Sequence, residues 1–577
     1  MKRVLSYGKP YIWIILLVIV MKLAAAVLDL MIPSALADII NITILAGGTR
    51  AIIMSGLKML AFAATEMVIN CAANVISSKI ANRMVGTMRQ DLFEKVTNLS
   101  ARQLDGVTIP SAISRLTSDT YNINHMFNRV LKMGLRGPAL MIGGVIVTFT
   151  RDPIMALIVL ITMPLVSFTI VHFTRKAIPL NKQRQTILDR MVRKVQENAS
   201  GIRVIKALSK TRYEMDSYDK VNDELAAKSL EASLINIRSM PIANAIFHMS
   251  MVAVIVVGTI RVDRGIILPG EIMAFMQYFV TIINATMGIS GVVVMCANGA
   301  ASAGRITEVL GMGETMTLQH FDEEKTEYAL EFRDVAFSYN GVETNLKDVS
   351  FGLKKGQTLG VIGATGSGKT TLVNLLLRFY DVDKGQILIG GQDIRSIPNE
   401  ELRNKFGVVF QNDFLVSDTI AKNIDFYRDL EPESLKKAAV LAQAADFIAE
   451  KDGGMEYKLT VKGNNLSGGQ KQRLLIARAL AANPEILVLD DSSSALDYRT
   501  DASLRKALAE NFDDTTKVII AQRVSSIQGA DCILVLENGE VIGQGTHEEL
   551  MVSCEEYQHI ANTQMEAQRG EEATVNG

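Results

Sequence analysis

TLGVIGATGSGKTTLVNLLLRFY, Thr358 to Tyr380, reads in one pass as a strand, a glycine-rich turn and a helix. TLGVIG is a short apolar run of the kind buried in a sheet, and KTTLVNLLLRFY carries its leucines at helical spacing. Between them GATGSGKT, Gly363 to Thr370, has glycines that let backbone N–H groups face an anion at the start of the helix. Lys369 is then placed to reach the β- and γ-phosphates of a nucleotide, and Thr370 to offer its hydroxyl to Mg²⁺. Further β-rich runs, ILVLD and KVIIAQ, alternate with helices around this unit, which is the pattern of an α/β domain with a largely parallel core sheet.

Outward from this domain the composition changes. The chain has 577 residues, too many for one ordinary domain. Hydrophobic residues make up 48% of it, and the long apolar runs all precede about Ala300. Six stretches are long enough to cross a bilayer, which takes about 20 helical residues: near 11–33, 51–77, 137–150 with its flanking turns, 153–173, 241–261 and 266–296. Only Arg151, Asp152 and Pro153 separate the third and fourth, so that pair must be a hairpin.

Lys2, Arg3 and Lys9 precede the first run, which continues to about Pro33 without a clear cleavage site, so it reads as an uncleaved span with its basic flank in the cytoplasm. Arg83, Arg89, Arg115, Arg175, Lys176, Arg184, Arg193 and Lys194 place the two long polar stretches on that side as well. Gly311 to Tyr328 lacks apolar periodicity and reads as a linker. The expected organisation is a transmembrane domain over 1–310, a linker over 311–328, a nucleotide-binding domain over 329–565 and a disordered tail over 566–577. Inside the second domain, ILVLENGEVIGQ reads as a hairpin turning on Asn538-Gly539.

A net charge of -1 gives no reason to expect a nucleic-acid partner. The four cysteines are scattered without metal-ligand spacing, which argues against a zinc site or a disulfide framework.

Two more segments carry chemistry. ILVLD ends on Asp490, positioned for the water shell of Mg²⁺. LSGGQKQRLLIARAL, Leu466 to Leu480, offers Ser467 as an N-cap followed by two glycines that leave a helix start bare enough to approach an anion. Placed about twenty residues before the Asp490 strand, this segment resembles the signature of ATP-binding cassette (ABC) proteins. With six spans preceding one nucleotide-binding domain, the whole chain resembles a half-size ABC exporter of the type IV architecture.

The resemblance implies residue roles. Tyr339, in AFSYNG, corresponds to the aromatic that stacks on adenine, and Gln411 to the glutamine that senses Mg²⁺ and contacts the membrane domain. Gly363, Thr365, Gly366, Ser367, Gly368, Lys369, Thr370 and Thr371 would surround the phosphates, with Thr370, Gln411 and Asp490 around Mg²⁺. Ser494 to Asp497 correspond to the SALD loop that touches the opposite domain. In the family two such domains face head to tail, and each ATP lies between one P-loop and the other domain's signature, here Ser467, Gly468, Gly469 and Gln470.

Three positions depart from the family pattern. The residue after Asp490, which positions or deprotonates water, is usually glutamate; here it is Asp491, shorter by one carbon–carbon bond of roughly 1.5 Å. A misplacement of about 1 Å can cost on the order of a hundredfold in rate. Gln522, in VIIAQRVSS, stands where the family has a histidine that bridges the γ-phosphate and the catalytic region, and glutamine carries neither proton nor charge near neutral pH. Val461 stands just before the signature, where many exporters have an acid.

The pattern resembles the non-catalytic half of a heterodimeric exporter in a bacterial cytoplasmic membrane, moving drugs, lipids or peptides outward. The implied partner is a second half-transporter with intact glutamate and histidine. The alternatives are a homodimer with two slow sites, or a nucleotide-gated regulatory membrane protein that does not pump.

In the membrane half, Lys22 and Asp29 share a helical face and Glu66 lies inside the second span, so either a substrate pathway or an internal Lys22–Glu66 ion pair is expected, the pair being favoured. Leu104 to Asp119 and Glu197 to Glu214 resemble the two coupling regions that dock onto nucleotide-binding domains, the second onto the partner's. Gly201, Ile202 and Lys206 match the latter, with Leu208 in place of its usual phenylalanine.

Overall fold

A computed structural model describes residues 1–44, 48–313, 316–411 and 414–564. The chain forms two compact units, Met1–Asn98 with Ile109–Met312, and Leu99–Thr108 with Gly313–Gly577. The tail expected to be disordered lies outside the described residues.

The first unit is all helix. Among the described residues, six helical segments are long and apolar enough to cross a membrane: Lys2–Thr43, Thr49–Thr97, Ile109–Arg151, Pro153–Ser200, Thr211–Asp263 and Pro269–Leu310. At about 1.5 Å per residue, the 48, 49 and 53 residues of the longest run well past a hydrocarbon core of about 30 Å. Their polar halves therefore extend the bundle beyond the membrane, as the two basic stretches require. Side chains such as Leu16, Val20, Leu60 and Phe168 are exposed, which suits helices solvated by lipid rather than water. The turn between spans three and four is as tight as expected. Asp152 caps the helix Pro153–Ser200 by accepting from the Ile154 and Met155 N–H groups at 2.9 Å each, and its other oxygen accepts from Arg261 at 2.6 Å.

The interior charges pair differently from the expectation. Glu66 takes Arg136 at 2.7 Å, and Asp29 takes the same guanidinium at 3.0 Å. Lys22 donates instead to the side-chain oxygens of Asn70 and Asn74, both at 2.7 Å. The Lys22–Glu66 pair does not form, because a guanidinium can serve two carboxylates at once while an ammonium beside two amide oxygens is already satisfied.

The second unit has two sheets. Strands β1 (Leu330–Phe337), β2 (Leu346–Leu353), β4 (Lys384–Ile389) and β5 (Gln392–Asp393) form an antiparallel sheet in the order β2-β1-β4-β5. Strands β3 (Thr358–Gly363), β6 (Phe406–Val409), β7 (Ile486–Asp490), β8 (Thr516–Ile520), β9 (Cys532–Glu537) and β10 (Glu540–Gly545) form the core sheet, ordered β10-β9-β3-β8-β7-β6. All neighbours in it are parallel except the terminal β9–β10 pair. That hairpin turns on Asn538 (φ 49°) and Gly539 (φ 83°), the two positive angles a two-residue type I′ turn needs. β7 is buried along its whole length, as a central parallel strand must be.

The stretch read as a linker has no regular secondary structure over its described residues beyond 316, but it is pinned to the second unit. The Gln319 N–H donates to the Arg395 carbonyl and the Glu324 N–H to the Gly391 carbonyl, both at 3.0 Å, while the Arg395 guanidinium covers the Phe321 ring. The first coupling segment is divided at Thr108 (φ 61°), and the helix Ala101–Val107 belongs to the second unit. There Asp105 accepts from the Tyr380 hydroxyl at 2.7 Å and Arg102 donates to the Ser338 carbonyl at 3.2 Å.

Candidate nucleotide site

Parallel strands direct their carboxyl ends to one edge of the sheet, and ligands of α/β proteins bind along that edge. Here β3 ends at Gly363, β7 at Asp490 and β8 two residues before Gln522, while Gln411 follows β6 by two residues. One edge thus carries all four.

After β3 the backbone folds so closely that a Cβ on Gly363 would lie 2.1 Å from the Leu536 carbonyl oxygen, so only glycine is tolerated. Gly368, at φ 107°, caps the helix Lys369–Leu376 in the left-handed region. Lys369 Nζ curls back over the loop, donating to the Gly363 and Ala364 carbonyls at 2.7 Å each. Burial pushes its ammonium below the usual lysine range, opposed by the charges of Asp490 and Asp491. Thr365, Gly366 and Thr370 are exposed around the same loop, and Ser367 and Thr371 are buried beneath it.

Asp490 is 3% exposed. Burial first, then the charge of Asp491, raises its carboxyl to about 6; Lys369 and a backbone hydrogen bond from Gln411 oppose the rise. Asp491 is also raised by burial, and Arg523, the Gln411 side chain and Lys369 pull it back. Asp491 sits at φ 51°, a left-handed conformation that turns its side chain away from the strand direction. Its N–H donates to the Ile520 carbonyl at 2.9 Å, and its own carbonyl accepts from Gln472 at 3.1 Å and Ser494 at 3.0 Å. Gln522 Nε2 donates to Asp491 Oδ2 at 3.0 Å.

Tyr339 stands over the helix start. Its hydroxyl donates to Thr371 at 3.4 Å and accepts from Asn374 at 3.1 Å, and its ring meets Phe337 and Tyr380 edge-on at 4.9 and 5.0 Å. This bracing fixes a half-exposed aromatic face beside the P-loop. The donor set suits a magnesium nucleotide: loop amides around open space at Gly366, an ammonium, a hydroxyl and a carboxylate beside it, and a braced ring.

The signature lies apart. Ser467 caps the helix Gly468–Ala481 in a full capping box, its hydroxyl accepting from the Gln470 N–H at 3.3 Å while Gln470 accepts from the Ser467 N–H at 3.1 Å. Among the described residues no hydrogen bond or ion pair joins Ser467, Gly468, Gly469 or Gln470 to the P-loop. Asp497 caps the helix Tyr498–Asn511 by accepting from the Thr500 N–H at 2.9 Å, which holds its carboxyl below the usual range. Val461, at the third departure, is exposed.

Gln472 escaped the sequence reading. Its amide donates to the Asp491 carbonyl and accepts from the Ala495 N–H at 3.2 Å, tying the signature helix to the segment after β7. Its place one turn into the helix is the only signal that could have suggested it.

Residues 15–286 match the family described as the ABC transporter transmembrane region, and residues 346–494 match the ABC transporter family. The chain is 32% identical over 571 residues to the uncharacterized ABC transporter ATP-binding protein YfiB of Bacillus subtilis, covering 98% of both chains. It is 33% identical over 487 residues to YknU of the same organism, described in the same words, covering 84% of this chain and 83% of that one. Among solved structures it resembles a bacterial Atm1-family ABC exporter with ATP bound, with TM-score 0.79 and 21% identity over 96% of this chain and 98% of that one. That likeness gives the same fold, a helical transmembrane domain of six spans followed by an α/β nucleotide-binding domain.

Proposed function

Because this chain belongs to the ABC transporter family, we propose that it is the non-catalytic half of a heterodimeric exporter, holding ATP at its own P-loop and lending its signature to the partner's site. The observation that carries this reading is the contact between the two departures, Gln522 Nε2 on Asp491 Oδ2. The amide takes up one Asp491 oxygen, and unlike an imidazole it can neither exchange a proton with that carboxylate nor supply positive charge to a phosphate.

The remaining residues support retention of the nucleotide. The Gly363–Thr371 loop offers its amides and Lys369 its ammonium to the phosphates, and Tyr339 offers a braced ring to the adenine. Thr370, Gln411 and Asp490 are the residues that would hold Mg²⁺, whose charge when bound offsets that of the β- and γ-phosphates. Ser467 presents an intact capping box at a helix start, where anions are favoured. ATP between two such domains favours their closure, and hydrolysis at the partner's P-loop ends it.

The second coupling region supports a partner as well. Val204 in its helix Ile202–Ala207 is 61% exposed and Leu208, which follows the helix, is 64% exposed, an apolar tip suited to docking on another domain. Drugs, lipids and peptides remain the candidate cargo, and the cytoplasmic membrane the candidate location.

The experiment is nucleotide binding and turnover by the purified chain alone. The heterodimer reading expects ATP binding with almost no phosphate release, whereas a homodimer with two slow sites would hydrolyse measurably. ATP binding without substrate accumulation in vesicles, once a partner is supplied, would favour the regulatory reading.

A further inference from the structure

Within the first unit, a cavity of about 750 Å³ lies among the helices, a volume in the range of small-molecule sites. Most of its positive charge comes from one stripe. His125, Arg129, Lys132 and Arg136 recur at spacings of four, three and four, one face of a helical run, and all four line the cavity. Lys22 reaches it from the helix Ile12–Asp38. The helix Arg136–Arg151 spans about 24 Å at about 1.5 Å per residue, so Arg136 lies most of a hydrocarbon thickness from the Asp152 turn.

The acids that answer these cations are already engaged. Asp29 and Glu66 both bind Arg136. Among the described residues no acid pairs with Lys22, Arg129 or Lys132. Lys22, 1% exposed, is held by the neutral oxygens of Asn70 and Asn74, which fix its position without cancelling its charge. Met133, Leu140, Ala285 and Met295 add apolar lining to the same cavity. Ionisable groups at membrane depth are costly, face an interior or a cavity, and mark substrate pathways. Three cations without a counter-charge around one space call for an anion.

We propose that this cavity is a substrate site for an amphipathic organic anion, its carboxylate, sulfonate or phosphate among Lys22, Arg129 and Lys132 and its apolar part against Met133, Leu140 and Met295. This rests on the transporter reading and narrows its substrate class. A soluble organic acid and an anionic lipid headgroup share the chemistry.

The test uses the full-length chain, with its partner where one copurifies, in phosphatidylcholine nanodiscs without nucleotide. Two fluorescent xanthenes of opposite charge are titrated, carboxyfluorescein and a rhodamine methyl ester. The wild-type chain is expected to bind the anionic dye about tenfold more tightly or better. Arg129→Gln with Lys132→Gln should lose about tenfold of that affinity, and Arg129→Glu with Lys132→Glu should reverse the preference. Neither side chain has a pairing partner to lose, and ATP binding measured on the same preparations reports folding and keeps the transporter reading separate. Displacement of the dye by added phosphatidylglycerol identifies a lipid headgroup as the ligand, and undisturbed binding identifies a soluble acid; both support the site. Equal or tighter binding of the cationic dye by the wild type, or undiminished anion affinity in the folded glutamine variant, overturns it.

Discussion

Gln522 donates from Nε2 to Oδ2 of Asp491 at 3.0 Å, so the two side chains that depart from the family's catalytic pair are bonded to each other. On the proposed reading each departure alone would weaken hydrolysis, and the bond between them couples the two. Asp491→Glu should therefore raise phosphate release by less than about tenfold, since Gln522 still carries no charge. Asp491→Glu with Gln522→His should exceed the product of the two single effects, reaching about a hundredfold. Single-turnover phosphate release on the four proteins measures this coupling, and additive effects would sever the link.

Lys369 supplies the ammonium of the loop. Lys369→Ala should weaken ATP binding by about ten- to a hundredfold, while leaving the thermal unfolding temperature of the nucleotide-free protein nearly unchanged. Its bonds go to the Gly363 and Ala364 carbonyls and the Ser367 hydroxyl, all within the loop itself, so little of the fold depends on them. Isothermal titration and a melting curve on one preparation check both halves of this expectation.

Asp490 predicts a pH dependence. Its folded carboxyl titrates at about 6, above the ordinary aspartate value, so the ionised form costs stability at neutral pH. That cost is relieved as pH falls through 6 and is gone below the unfolded value near 4. Asp490→Asn should stabilise the nucleotide-free protein at pH 7.5 by on the order of 1 kcal/mol, with the advantage vanishing near pH 4. Magnesium-dependent ATP affinity of the wild type should fall as pH drops through about 6, when the carboxylate is protonated. A pH-independent difference between wild type and variant would show that the buried charge is not its source.

Gln472 joins the Asp491 carbonyl to the Ala495 N–H across the start of the signature helix. Gln472→Leu removes both bonds at nearly constant volume. In a complex with the partner it should lower turnover by about tenfold and leave ATP affinity at this chain's own P-loop unchanged, as equilibrium binding and steady-state turnover would report.

What the sequence disclosed was local. The P-loop, Asp490, the Asn538-Gly539 hairpin and the apolar spans are written in contiguous residues whose spacing sets their geometry. The Lys22–Glu66 pair was expected because a charge inside a span is matched first to an opposite charge, whereas the actual partners, Asn70 and Asn74, are neutral and lie in another span. The stripe from His125 to Arg136 was missed because it crosses from a polar stretch into a span, with the helix interrupted at Gly134. Gln472 lies inside the Leu466–Leu480 segment, but its partners Asp491 and Ala495 are 19 and 23 residues further on, beyond any local pattern. That the linker is pinned to the second unit was not legible, because its bonds to Arg395 and Gly391 are backbone bonds, which leave no pattern in side-chain types.

The division of labour between Ser467 and Asp491 is tested most directly by comparing two variants of the purified complex at saturating ATP. If this chain's signature completes the productive site, as proposed, Ser467→Arg should cut steady-state ATPase activity by about a hundredfold or more. Asp491→Glu should change it by less than about threefold, since on that reading most turnover would arise at the partner's P-loop. Near-normal activity with Ser467→Arg, or a large rise with Asp491→Glu alone, would contradict the account.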